Sequence, residues 1–104
     1  MFTELKELEL QIFDLLQKEK ELKEKILFEN AKFKKDETIM HELKINGRVV
    51  PGGVIEEVNL GGGYVKDHHG NLKFNDYWIY YDFRVFGEIE TYLISEKELV
   101  KKLK

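Results

Sequence analysis

The sequence predicts an α+β protein in which a long amino-terminal helix precedes a small antiparallel β-barrel of five or six strands and a short carboxyl-terminal helix. Two observations carry this. Apolar residues recur at three-then-four spacing through the first third of the chain, where neither proline nor glycine occurs from Glu4 to Lys35. From about Ile39 the pattern changes to short aromatic, alternating runs separated by glycine turns. The expected division is residues 1–37 as helix and 38–104 as β domain.

The helical segment is read in heptads. One core position takes Leu5, Ile12, Glu19, Ile26 and Phe33, and the other takes Leu8, Leu15, Leu22 and Glu29, so seven of nine are apolar. Thr3 is placed to cap a helix of about 30 residues, or ~48 Å. Burying each apolar side chain is worth about 1.5–3 kcal/mol, so the stripe needs a facing surface. That surface is either the same helix in a second copy, a dimer being the simplest case, or the β domain as an ordinary intramolecular core. Leu10, Phe13, Leu16, Leu27 and Phe28 widen the stripe beyond a two-stranded seam. The alternating charges from Lys18 to Lys25 mark a solvated face.

Asn46-Gly47 lies between Ile39–Ile45 and Arg48–Val50 and is the strongest short hairpin signal, since both central positions of the turn need positive φ. Pro51-Gly52-Gly53 predicts a bend before a strand over Val54–Val58, and Gly61-Gly62-Gly63 predicts a loop. Tyr64–Lys66 and Leu72–Phe74 flank the turn-forming Asp67-His68-His69-Gly70-Asn71. In the longest strand, Tyr77–Phe86, Ile79, Tyr81, Phe83 and Val85 alternate with Trp78, Tyr80, Asp82 and Arg84, so one face is core. After a turn at Gly87 and a strand to Ile94, Ser95-Glu96-Lys97-Glu98 forms a capping box for the last helix.

Gly47–Val50, Val54–Val58, Trp78–Phe83 and Tyr92–Leu99 together resemble the small Src-homology-type barrels of the Tudor and KOW kind, over about residues 47–100. The resemblance lies in strand rhythm and in the terminal Ser-Glu-x-Glu-Leu turn. It implies a domain that binds peptides, nucleic acids or other domains and is seldom an enzyme. The Pro51-Gly52-Gly53 break and the acidic balance depart from a nucleic-acid-binding version.

Composition narrows the function classes. Seventeen basic against twenty acidic residues leave a net charge of −3 with both signs interleaved, so no global field draws the chain to nucleic acid or an anionic membrane. The absence of cysteine excludes disulfides and thiolate chemistry. No 18-residue apolar run and no export signal is present, so a cytoplasmic location and no membrane association are expected.

The candidate partner-binding face is Trp78 with Tyr80, extended by Tyr64 and Tyr92, with Arg84 as a cation. The plain alternative is that these residues pack beneath the long helix. His68, His69 and His41 lack metal-ligand spacing and read as surface residues, and Gly61–Gly63 lacks the Lys-Ser/Thr of a phosphate cradle. Glu56-Glu57 and Glu88/Glu90 pair with no nucleophile. Lys97, Lys101, Lys102 and Lys104 form a modest basic patch at a helix end.

The expected function is therefore a non-enzymatic interaction protein of the adaptor, accessory or inhibitor type, self-associating through its helix and binding a protein partner through the aromatic face without catalytic residue, cofactor or metal. This profile is common among small accessory or inhibitor proteins of viruses and mobile elements, including those that block host defence complexes. The alternative is a nucleic-acid-binding module using the aromatic face and the terminal lysines.

Overall fold

The computed structural model describes residues 1–103 and divides the chain into two compact units, Met1–Asn30 and Ala31–Lys104. The first unit is helix α1, Phe2–Asn30, of 29 residues. It begins before Thr3, which sits inside the first turn rather than capping it, and Leu5 N–H donates to the Met1 carbonyl at 3.1 Å. At its other end the Asn30 side-chain amide donates to the Ile26 carbonyl at 2.8 Å, satisfying an acceptor left open in the final turn.

The helix therefore stops five residues before Lys35, the end read from the sequence, and Phe33 leaves the heptad series. Phe33 packs instead against the core of the second unit, edge-to-face on Tyr81 with ring centroids 5.5 Å apart. Its N–H donates to the Tyr81 hydroxyl at 3.3 Å, and the Lys32 N–H donates to the Glu96 carboxylate at 2.7 Å. These backbone donors find tertiary partners in place of helical ones, which ends the helix before the apolar spacing does.

Six strands are described in the second unit: β1 (Thr38–Ile39), β2 (Leu43–Ile45), β3 (Arg48–Val50), β4 (Gly53–Lys66), β5 (Leu72–Val85) and β6 (Thr91–Ser95), followed by helix α2 (Glu96–Lys102). They form two sheets rather than one continuous barrel. One is a curled, half-barrel-like antiparallel sheet of order β1-β4-β5-β6, and the other is the β2-β3 hairpin. That hairpin turns at Asn46 and Gly47, with φ of 52° and 78°, as expected of a two-residue turn with both central residues left-handed.

The core comprises Ile39, Leu43, Ile45, Val50, Ile55, Tyr81, Phe83, Val85, Ile94 and Leu99. The alternation read in β5 holds, because Tyr81, Phe83 and Val85 are buried. Ser95 caps α2, its hydroxyl accepting from the Glu98 N–H at 3.2 Å, and this seats Leu99 fully in the core. The Tyr81 hydroxyl donates to Glu96 at 2.8 Å. Burial, reinforced by that hydrogen bond, pushes the phenol well above its ordinary value.

Gly61-Gly62-Gly63 is not a loop. Strand β4 runs through it, and β4 and β5 form one hairpin of 14 residues per strand. The register shifts between Gly61 and Gly63, where Gly61 pairs with Trp78 but Gly63 pairs with Asn75. One extra residue thus stands on β5, and Gly62 meets it with φ of 91°. A second shift near Glu56 places the extra residue on β4.

Candidate interaction surfaces

The outer half of the long hairpin lies beyond the flanking strands. β1 pairs with β4 only at Val54 and Gly53, and β6 pairs with β5 only from Tyr80 to Arg84. Among the described residues, Leu60–Lys66 and Leu72–Ile79 therefore form a two-stranded ribbon with no third strand. Such ribbons are marginal in water and depend on cross-strand side-chain contacts. Here the contacts are aromatic.

They fall into two groups, and the extra residue on β5 explains why. Strand neighbours two apart share a face, so Trp78 and Tyr80 lie against one another with ring centroids 4.6 Å apart. Phe74 and Tyr77 are three apart and ought to point to opposite faces. The extra residue between Asn75 and Trp78 changes the phase, and their rings meet edge-to-face at 5.5 Å. Tyr64 lies across the ladder from Phe74 at 5.0 Å and completes that group.

Tyr64, Phe74 and Tyr77 are 71%, 46% and 57% exposed. At about 150–250 Å² per aromatic side chain, the three present roughly 300 Å² to solvent. The largest apolar patch on a typical folded monomer is of this order, and it is often functional.

Of the residues read from the sequence as one face, the structure brings Trp78 and Tyr80 together and places Tyr64 in the other ring group. Arg84 is committed to Glu56, with which it forms an ion pair, and also donates to the Glu88 carbonyl at 3.5 Å. Tyr92 sits opposite Phe83 in the β5-β6 ladder and packs on the core. Its hydroxyl accepts from Arg48 at 2.8 Å, and Arg48 also pairs with Glu88 at 2.6 Å. Phe74 and Tyr77 escaped the sequence reading because the phase change that unites them is a tertiary event. The nearest signal was the three glycines opposite a run of aromatics.

The turn at the ribbon's tip is held by Asp67, whose carboxylate accepts from the N–H groups of His69 and Asn71, both at 2.9 Å. The His68 and His69 rings lie 4.7 Å apart there. No group of three or more possible metal-ligating side chains occurs among the described residues. Lys97 and Lys101 line a shallow depression with Lys32, Glu96 and Val100, whereas Lys102 donates to the Lys44 carbonyl at 2.5 Å. Lys104, the last member of the expected basic patch, lies outside the described residues.

The second surface is α1. No described residue of the helix is buried. Its seam residues Leu5, Leu8, Ile12, Leu15 and Leu22 are between 48% and 64% exposed, and Ile26 is half-buried. Glu19 pairs with Lys23 at 2.9 Å along the helix. No described helix is long and apolar enough to cross a membrane. Comparisons with family models, curated proteins and solved structures find no match.

Proposed function

We propose that this is a non-enzymatic interaction protein of the adaptor or inhibitor type, which self-associates through α1 and presents the aromatic ribbon to a protein partner. One observation carries the reading: a row of leucine and isoleucine, broken only at Glu19 and about half exposed from Leu5 to Leu22, along a helix with no buried residue among those described. With Leu16 beside it, the row represents on the order of 5–8 kcal/mol of unrealised burial. That is comparable with the cost of association, about 4–15 kcal/mol, so assembly is reversible and follows concentration. The curled sheet suits this role, because small barrels of the Src-homology, Tudor and KOW kind, which residues 47–100 resemble, generally act as binding modules.

The nucleic-acid alternative is weakened by the fate of its cations. Arg84 is held by Glu56 and Lys102 by a backbone carbonyl, while α1 and the ribbon carry both charge signs.

Sedimentation equilibrium over a range of concentrations tests the reading. The weight-average mass rises above the 12.4 kDa of one chain, and joint replacement of Leu15 and Leu22 by glutamine returns it to that value. A monomer at every concentration overturns the proposal. Mobility shifts with single- and double-stranded probes below ~50 mM salt test the alternative, where electrostatic binding is strongest.

A further inference from the structure

We propose that α1 pairs with α1 of a second copy in the antiparallel sense, with the twofold axis beside Gln17. The inference rests on the self-association reading and fixes the occupant, orientation and register of the seam. It comes from the charges that flank the seam, which differ in their consequences for the two orientations.

In a parallel pair each core residue faces its own copy. Glu19 then meets Glu19 and Glu29 meets Glu29, each layer drawing two carboxylates into the seam. The flanking positions make this worse. Parallel packing sets Glu4 beside the second copy's Glu9 and Lys18 beside its Lys23, and symmetry repeats each contact. No flanking pair of opposite sign offsets these.

Antiparallel packing relieves all but one of these like-charge contacts. Ile12 faces the second copy's Leu22, Leu8 faces its Ile26, Leu15 faces its Glu19 and Leu5 faces its Glu29, so no carboxylate meets its own copy. Glu9 now lies beside the second copy's Lys23, twice by symmetry, and Leu16 meets Leu16 across the axis. Lys23 also reaches Glu19 of its own helix, so that carboxylate enters the interface already paired. Lys18 beside Lys18 is the single like-charge contact between flanking residues. This register overlaps nearly all of the helix from Phe2 to Asn30, and Leu16, which a minimal seam leaves unused, gains a partner. The two points where β units join their helices then stand at opposite ends of a rod ~43 Å long.

The chain lacks cysteine, so single introduced cysteines report orientation cleanly. Ile12→Cys and Leu22→Cys, both at exposed positions, are oxidised in a glutathione buffer separately and as an equimolar mixture of full-length chains. The expected result is little disulfide dimer from either alone and the mixed disulfide as the main product, because like residues stand ~15 Å apart along an antiparallel pair.

Glu9→Lys supplies an independent readout by its sign. It weakens assembly about tenfold if Glu9 faces Lys23, and Lys23→Glu in the same chain restores it, whereas in a parallel pair it relieves Glu4 and strengthens assembly. Ile12→Cys cross-linking to itself, or tighter assembly of Glu9→Lys, overturns the orientation and leaves self-association standing. A wild-type chain that stays monomeric overturns both.

Discussion

The indole of Trp78 covers Gly61 so closely that a Cβ at residue 61 would stand 2.6 Å from two atoms of its ring. The glycine is the floor on which the ring lies, and the pair joins the two strands of the ribbon where no third strand supports them.

Gly61→Ala is expected to lift the indole away while leaving the fold intact, since the obstructing atoms belong to a half-exposed side chain. Trp78 is the only tryptophan, so a red-shifted emission reports the displacement directly. The accompanying change in stability stays within about 1 kcal/mol. Gly53→Ala behaves differently, because there a Cβ would stand 2.1 Å from the Arg84 carbonyl oxygen and 2.7 Å from the Phe83 ring. Backbone cannot swing aside, and a loss of about 3 kcal/mol or more is expected in chemical denaturation.

Tyr81→Phe removes a hydroxyl that donates to Glu96 and accepts from the Phe33 N–H. A cost of about 1–2 kcal/mol follows. A domain of this size shows it as a fall in Tm of about 4–8 °C per kcal/mol in calorimetry.

Alkaline pH reaches the same group. The folded state raises the Tyr81 pKa, first through burial and then through the Glu96 hydrogen bond, so the folded chain holds its proton more tightly than the unfolded chain. The stabilisation is complete below the ordinary phenol value near 10 and declines as pH rises beyond it. Urea midpoints measured from pH 8 to 11 are expected to fall from about pH 10, and Tyr81→Phe flattens that fall. Ultraviolet titration is expected to show the Tyr81 phenol resisting ionisation until the chain unfolds.

Ser95→Ala removes the cap of α2 and is expected to cost about 1 kcal/mol, whereas Ser95→Asp retains most of the stability. The effect exceeds that of an exposed serine because α2 seats Leu99 in the core. Thermal melts of the three chains decide it.

Tyr64→Ala with Tyr77→Ala removes much of the exposed ring cluster while the core is untouched. The ribbon that those rings hold loosens while the melting temperature of the core moves little, and capture of a protein partner from host extract, competed by free wild-type chain, is lost. Retained capture places binding elsewhere.

Elements whose determinants are local were legible in the sequence. Asn46-Gly47 carries its own turn geometry, Ser95 through Glu98 carries a cap, and Ile79 through Val85 carries the period of a strand with one buried face. Phe33 misled because heptad spacing continues past the end of the helix, and its true neighbour, Tyr81, lies 48 residues away in the chain. The glycine triplet misled because a loop and a bulged strand share that composition, and only the ring of Trp78 opposite distinguishes them. Tyr92 extends the expected face only through strand pairing beside Trp78 and Tyr80, and its actual pairing with Phe83 turns it toward the core.

Lys32 and Phe33 open the second unit and Glu96 begins its last helix, yet Tyr81 and Glu96 fasten these two stretches together. Mechanical tension applied through α1 is therefore met first by that clasp, which passes it to β5 through Tyr81 and to α2 through Glu96. A partner tugging on the helix would first strain two hydrogen bonds and one ring contact, whose anchors, Tyr81 and Glu96, are tied to one another by a third hydrogen bond.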